Sequence, residues 1–146
     1  MVDDLHHQWN DFKAMTGVKR VISFGGWVFS NEETYDVLRK AMGPANRKLF
    51  ANNVVAFLNR EGLDGVDWDW EYPGATDIPG TPPGSTSDGP NYLKFVTLMK
   101  TKLGGKTQSI AAPSSYWYLK NFPIAQMGLA LDDIVFMTYD LHSMCD

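Results

Sequence analysis

Residues 63–74 read Leu-Asp-Gly-Val-Asp-Trp-Asp-Trp-Glu-Tyr-Pro-Gly, and this segment decides how the rest of the chain is interpreted. Asp67, Asp69 and Glu71 alternate with two tryptophans, which is the period of a β-strand. The three carboxylates should therefore form one row, with neighbours about 6–7 Å apart. The opposite face is apolar and must be covered. We predict a strand that is buried on one side and lines a barrel or a cleft on the other; the alternative is a solvated acidic strand on a surface sheet.

The acidic row also predicts a chemical role. Carboxylates this close cannot all ionise, so they share a proton and titrate as a group. Glu71 is the candidate general acid because it has the longest reach and comes last, and active sites of parallel α/β folds lie at the carboxyl ends of strands. Asp67 and Asp69 would lie deeper and orient it. Asp64 interrupts the alternation, which places it at the strand entrance or in a bulge, with a less certain role.

Composition and spacing exclude several other classes. The net charge of −4 and the lack of a basic run argue against nucleic acid as a partner, and no apolar run approaches the ~20 residues that span a bilayer. The first residues, Met1-Val2-Asp3-Asp4, do not resemble a signal peptide. We expect no metal and no cofactor, because His6, His7 and His142 lack metal-ligand spacing with Cys145.

The chain alternates predicted helices and strands, with one long Pro- and Gly-rich loop at 72–90 that is either functional or disordered. The predicted order is helix 3–15, strand 18–24, helix 34–42, helix 44–60, strand 63–71, helix 91–103, strand 109–113, helical turns within 122–130 and strand 133–139. Such alternation predicts an α/β fold with a parallel sheet, either a small doubly wound sheet or half of a (β/α)8 TIM barrel of about 250 residues. We favour half of a barrel, because polar residues follow several strands, the chain stops directly after its last strand, and an open sheet would leave apolar edges.

Three motifs in this order resemble glycoside hydrolase family 18, the chitinases. The acidic strand, Asp64 to Glu71, fits the D-x-x-D-x-D-x-E signature of that family. Ser23–Gly26 is similar to its S-x-G-G motif on barrel strand three, and Met137–Asp140 is similar to its M-x-Y-D motif on strand six. The wider sequence resembles the fungal killer-toxin-like branch. The resemblance implies that residues 1–146 are a partial catalytic domain, truncated at both ends.

The resemblance also implies a substrate and a mechanism. Family members hydrolyse β-1,4-linked N-acetylglucosamine in chitin with retention, and the 2-acetamido oxygen of the substrate is the nucleophile. Glu71 would then protonate the glycosidic oxygen and later activate water. Asp69 would orient the acetamido group, and Asp67 would share a proton with Asp69. Tyr139 would hydrogen-bond the acetamide, and Asp140 would bind the sugar.

Five further residues are expected to contact substrate. Gly25 and Gly26 would let the backbone approach a sugar. Trp27 belongs either to that subsite or to the core. Tyr72 and Met137 complete the set as neighbours of the predicted acid and of Tyr139.

Several alternatives stay open. Trp117, with its neighbours at 116 and 118, either stacks on a sugar or packs within a loop. The chain could also be a non-catalytic chitin-binding relative, an inactive barrel fragment that self-associates through open edges, or an endo-N-acetylglucosaminidase. Barrel strands one, two, seven and eight have no counterpart here, so weak or no turnover is expected of this chain alone. The family resemblance implies an extracellular location.

Overall fold

The computed structural model describes residues 8–139, which form a four-stranded parallel sheet with helices between the strands. The strands are β1 (Val21–Gly25), β2 (Gly65–Asp69), β3 (Thr107–Pro113) and β4 (Asp133–Met137), and they lie side by side in sequence order. The helices are α1 (Gln8–Ala14), α2 (Trp27–Asn31), α3 (Val37–Met42), α4 (Arg47–Glu61), α5 (Asp88–Lys102), α6 (Tyr116–Leu119) and α7 (Ile124–Met127). The predicted parallel α/β alternation is confirmed. Within this part of the chain, no helix is long and apolar enough to cross a membrane.

The apolar face of β2 packs beneath the helices, as its alternation predicts. Val66, Trp68 and Trp70 are buried there. The Trp68 ring packs against Phe50 of α4 and Phe95 of α5, with ring centroids 5.7 and 4.7 Å away. Its indole N–H donates to the Gln108 carboxamide oxygen at 3.0 Å, so the buried polar atom is satisfied. Truncating Trp68 to alanine would cost about 3–5 kcal/mol of stability.

The element boundaries differ from the predicted ones in a few places. The strand predicted over 63–71 ends at Asp69, and the strand predicted over 133–139 ends at Met137. The long helix predicted over 44–60 begins three residues later and ends at Glu61; Gly62 follows it with a left-handed φ of 67°, which suits the end of a helix. Helices α2 and α6 were not predicted at all.

The long loop between β2 and α5 is fastened by one buried carboxylate. Asp88 is only 2% exposed, and its Oδ2 accepts hydrogen bonds from the backbone N–H groups of Gly74 and Ser85 at 3.1 and 3.0 Å. The Arg39 guanidinium donates to the same oxygen at 3.2 Å. This loop is therefore an ordered part of the fold, which decides against the disordered alternative.

The fourth strand leaves apolar side chains open on both of its faces. Ile134 and Phe136 point to one face and Val135 to the other, and all three are exposed, Phe136 to 54%. Strands of parallel sheets are normally covered on both faces. The described sheet therefore resembles an arc of a larger barrel, not a complete sheet with finished edges.

Candidate active site

The acidic residues converge on the end of the sheet where β1 and β2 finish. Asp67 lies within β2, Asp69 is its last residue, and Glu71 follows two positions later. The Ser23–Gly26 segment lies beside them because β1 pairs with β2 in parallel, with Ser23 opposite Asp67 and Gly25 opposite Asp69.

Asp67 is fixed by two serine hydroxyls, one from each neighbouring strand. Ser23 Oγ on β1 donates to Asp67 Oδ2 at 2.7 Å, and Ser109 Oγ on β3 donates to Oδ1 at 2.7 Å. The sheet register places the three residues in one row across β1, β2 and β3. Both carboxylate oxygens of Asp67 are therefore held in place by hydrogen bonds. Sequence reasoning singled out Ser23 but missed Ser109.

Asp69 has a different environment from Asp67. Its Oδ1 is buried and accepts no hydrogen bond from any residue within 8–139. Burial, and to a lesser degree the charge of Asp67, raise the pKa of the Asp69 carboxyl. The raised pKa favours a proton on Asp69, and the sharing of that proton with Asp67 stays a prediction.

A buried serine on α2 fixes the backbone that carries both Asp69 and Glu71. Ser30 Oγ accepts a hydrogen bond from the Glu71 backbone N–H at 3.1 Å and donates to the Asp69 carbonyl oxygen at 3.5 Å. The peptide bond between Glu71 and Tyr72 is cis. Ser30 was not predicted as part of the site, because the helix that carries it was not predicted.

Glu71 borders a cavity of about 320 Å³ at this end of the sheet. The cavity is lined by Trp27, Glu71, Tyr72, Pro113, Ser114, Ser115, Tyr118, Met137 and Tyr139. Glu71 is 9% exposed, so its carboxyl group is largely sequestered from water. The structure thus brings together five residues that the sequence separately marked, which come from α2, from the segment after β2, and from the end of β4 and the residues after it: Trp27, Glu71, Tyr72, Met137 and Tyr139. The lining combines aromatic rings with the Glu71 carboxyl and with serine and tyrosine hydroxyls, which suits a small ring that carries polar groups.

The two glycines after β1 are required by a close backbone approach. Gly25 has φ 130°, and a Cβ at this position would lie 1.9 Å from the Asp69 carbonyl oxygen. Gly26, with φ 95°, donates its N–H to that same oxygen at 2.8 Å. Glycine is therefore needed at position 25 because the backbones of β1 and β2 lie close together there. Contact of either glycine with substrate stays a prediction, and neither lines the cavity.

Asp64 lies away from the cavity, at the start of β2. Its Oδ2 accepts hydrogen bonds from the Arg20 backbone N–H at 2.8 Å and from Arg20 Nε at 2.9 Å. The Arg20 side chain, and next its backbone N–H, hold the pKa of the Asp64 carboxyl below its usual range. Asp64 thus joins the entrances of two strands and does not contribute to the cavity.

Some sequence-marked residues cannot be placed. Asp140, His6, His7, His142 and Cys145 lie outside the described residues. Between residues 8 and 139, no group of three or more His, Cys, Asp or Glu side chains is arranged to hold a metal ion. A larger groove of about 540 Å³ lies between α5 and α7. None of Asp67, Asp69 and Glu71 lines it, nor does any other carboxylate of the described residues.

Parallel strands in sequence order, with carboxylates at and after the carboxyl end of β2 beside a cavity, are the arrangement of the α/β-barrel class of proteins. The sequence matches the family model "Glycosyl hydrolases family 18" over residues 3–146, and the chain belongs to this family.

Proteins that are similar to this chain in sequence or in structure support the assignment to this family. The chain is 54% identical over 142 residues to "Secreted chitinase LysM12" of Penicillium expansum, which covers 97% of this chain and 10% of that protein. It is 50% identical over 146 residues to "Killer toxin subunits alpha/beta" of Kluyveromyces lactis, covering 98% of this chain and 13% of that protein. Among solved structures, "Chitinase ChiA74 from Bacillus thuringiensis" has a TM-score of 0.80 and 31% identity over 94% of this chain and 23% of that chain. The chain therefore spans a small part of each of these relatives.

Proposed function

We propose that this chain supplies the catalytic centre of a chitinase that hydrolyses β-1,4-linked N-acetylglucosamine with retention. One observation carries the proposal: Glu71 borders a 320 Å³ cavity, and the Asp67–Asp69 pair with its raised Asp69 pKa lies directly before it in the chain. The relatives named as chitinases support chitin as the substrate. Because the chain spans only a small part of them, the activity is that of a protein that contains this centre.

In the proposed reaction, Glu71 protonates the glycosidic oxygen while the substrate's acetamido oxygen attacks the anomeric carbon. The glycosidic bond breaks, and a cyclic oxazolinium ion forms. Glu71, now ionised, takes a proton from water, which opens the ring and restores the original configuration at the anomeric carbon. A second carboxylate nucleophile is not required.

The two aspartates would govern the acetamido group. Asp69 has a buried oxygen without a described hydrogen-bond partner, which suits it to accept the acetamide N–H and stabilise positive charge on the ring. Asp67, kept as an acceptor by Ser23 and Ser109, would exchange a proton with Asp69 as the reaction proceeds.

The remaining site residues would bind the sugar. Trp27 and Tyr72 offer aromatic surfaces to the cavity, with ring centroids 6.3 Å apart, and Met137 and Tyr139 also line it. Tyr139 would donate its hydroxyl to the acetamide. Asp140 would bind sugar hydroxyls, as the family motif implies.

We further propose that residues 1–146 are part of a larger barrel domain and that the protein works outside the cell. The open apolar side chains of β4 support the first point, since further strands or a second copy of the chain would cover them. A relative named as a secreted chitinase supports the second. Light scattering on the purified chain measures self-association directly. If the chain is a monomer at micromolar concentration, the exposed side chains of β4 would be covered by further strands of the same polypeptide and not by a second copy.

The decisive experiment replaces Glu71 by glutamine, which keeps the shape of the side chain and removes the acid. In a longer protein that contains this catalytic centre, the rate of hydrolysis of N-acetylglucosamine oligosaccharides should fall about 10²–10⁴-fold. Glu33→Gln, the same chemical change at an exposed carboxylate, is the control and should keep the rate. A Glu71→Gln protein that retained its rate would overturn the acid assignment.

A further inference from the structure

The helix α2 buries one side chain, and that side chain is polar. Ser30 is 5% exposed, whereas Trp27 and Val28 of the same helix are exposed. Taking a hydroxyl out of water costs free energy unless the protein satisfies its hydrogen bonds. The contacts of Ser30 therefore indicate what this short helix does next to the cavity.

The first turn of α2 is hydrogen-bonded to the backbone on both sides of Trp70. Ser30 Oγ accepts the Glu71 N–H at 3.1 Å and donates to the Asp69 carbonyl oxygen at 3.5 Å. The same carbonyl oxygen accepts the Gly26 N–H at 2.8 Å, and the Ser30 N–H donates to the Gly26 carbonyl oxygen at 2.9 Å. One turn of helix thus holds Asp69, and the Ser30 hydroxyl extends this attachment to Glu71.

Ser30 fixes the chain at the point where the sheet no longer does. The pairing of β1 with β2 ends with Gly25 opposite Asp69, so it does not include Glu71. The Glu71 backbone N–H bonds the Ser30 hydroxyl, while the Glu71 side chain borders the cavity. Ser30 itself does not line that cavity. The serine is therefore placed to act on a bound sugar through Glu71 and not by direct contact.

Other contacts attach α2 independently of the Ser30 hydroxyl. The Asn31 carbonyl oxygen accepts a hydrogen bond from the Thr81 hydroxyl at 2.8 Å. The Trp27 ring packs edge-on against Tyr72, with ring centroids 6.3 Å apart. Removing the Ser30 hydroxyl should therefore leave α2 in place, while the backbone after β2 loses one restraint.

We infer that Ser30 is a positioning residue for Glu71, which sets where the Glu71 carboxyl enters the cavity. This inference rests on the proposed function, because the position of Glu71 affects turnover only if Glu71 is the general acid. A general acid must lie within hydrogen-bond reach of the oxygen that it protonates, and a displacement of about 1 Å can lower a rate about 100-fold. One lost hydrogen bond allows a smaller displacement, so we expect a smaller loss that falls on kcat and not on KM.

The first test measures kcat and KM with an oligosaccharide of N-acetylglucosamine, in a longer protein that contains this catalytic centre. Ser30→Ala should lower kcat about tenfold and change KM less than about twofold. Ser30→Thr, which keeps a hydroxyl, should recover most of the loss. Ser87→Ala, which removes an exposed serine hydroxyl in the loop before α5, is the matched control and should keep both constants. Val54→Ala, at a buried position of α4, should lower the melting temperature and keep kcat, which separates positioning from a loss of stability.

A double-mutant cycle tests whether Ser30 acts through Glu71. In a Glu71→Gln protein the acid is already absent, so adding Ser30→Ala should lower the remaining rate less than about twofold. An equal loss in both backgrounds, or an unchanged kcat of Ser30→Ala alone, would overturn the inference and leave the proposed function standing. Crystal structures of the parent and of Ser30→Ala give the geometry directly, and the Glu71 carboxyl should be displaced in the variant. If it is displaced while Glu71→Gln hydrolyses at the parental rate, the positioning role stands and the catalytic proposal fails.

Discussion

The two ends of β2 carry aspartates from one motif in opposite electrostatic environments. At the entrance, Asp64 is bonded by the Arg20 backbone and guanidinium, and its pKa is lowered. At the exit, Asp69 has no ion-pair partner among residues 8–139, one of its oxygens is buried without a hydrogen bond, and its pKa is raised. Acidic residues of one strand can therefore have different roles: Asp64 stabilises the fold, whereas the environment of Asp69 favours a bound proton.

The difference follows from what each end must do. An arginine at the exit would neutralise the site of the proposed shared proton; among residues 8–139, the Asp67 carboxylate is instead bonded by two serine hydroxyls and Asp69 forms no ion pair. Uncompensated buried carboxylates cost stability, and proteins keep them where a shifted pKa is useful. No shifted pKa is needed at the strand entrance, and there Asp64 forms an ion pair with Arg20.

The largest expected effect is at the exit end. Asp69→Asn should lower turnover of N-acetylglucosamine oligosaccharides about 100-fold or more, because an amide cannot exchange a proton with Asp67. The raised pKa gives Asp69 a stabilising contribution that is full below its usual value of 3.8 and is lost as the pH rises through the folded-state pKa. The variant should therefore be at least as stable as the parent at pH 7. Urea denaturation at pH 4 and pH 7 checks this, and a clear loss of stability at pH 7 would contradict the burial argument.

The next effect concerns the backbone that encloses the exit. Gly25→Ala should cost about 3–5 kcal/mol of stability, because its Cβ would collide with the Asp69 carbonyl and force the backbone apart. Gly62→Ala is the matched comparison, since Gly62 is also left-handed but faces open space, and it should cost only about 1–2 kcal/mol. Thermal unfolding measures both. Equal losses would mean that the approach of β1 to Asp69 is not tight.

A smaller effect is expected from the serines that fix Asp67. Ser109→Ala removes one of its two hydroxyl donors and should lower turnover about tenfold, the effect of about 1.4 kcal/mol. The loss is expected because Asp67 Oδ1 would no longer be held in place by the Ser109 hydroxyl. Ser23→Ala should act in the same direction with a smaller effect, since Ser23 is the more exposed of the two. Unchanged turnover in both variants would contradict the role assigned to these hydroxyls.

The smallest effect is expected at the entrance. Asp64→Asn should lower the melting temperature slightly at neutral pH and leave turnover unchanged. Because the folded-state pKa is lowered, the stabilisation is present above 3.8 and is lost as the pH falls through the folded-state value, so parent and variant should converge in strong acid. High salt should also reduce the difference. A large loss of turnover would place Asp64 in the site after all.

Local periodicity explains which parts of this fold were predictable. The alternation through Trp68 and Trp70 predicts the buried face of β2 correctly, since the strand period depends only on near neighbours. The end of that strand was wrong by two residues, because the Glu71 N–H bonds the Ser30 hydroxyl instead of continuing the sheet. That bond joins residues 41 positions apart, so no local sequence pattern predicts it.

The same reasoning explains the residues that were missed. Ser30 and Ser109 are single serines, and a serine acquires a role only when the fold brings a carboxylate or a backbone group to it. The sequence also left Trp27 undecided between core and subsite. The structure places it half exposed on the cavity wall, a position fixed by the turn at Gly25 and Gly26.

Asp88 has a consequence for how the site would meet its ligand. One oxygen of this buried side chain bonds Gly74 near one end of the long loop and Ser85 near the other, which closes the intervening segment into a noncovalent ring. The ring contains Asp77, whose carboxylate accepts a hydrogen bond from the Trp117 indole N–H. Most of the loop's disorder is therefore given up during folding, before any sugar arrives, and a polysaccharide chain would meet a surface that no longer has to be assembled.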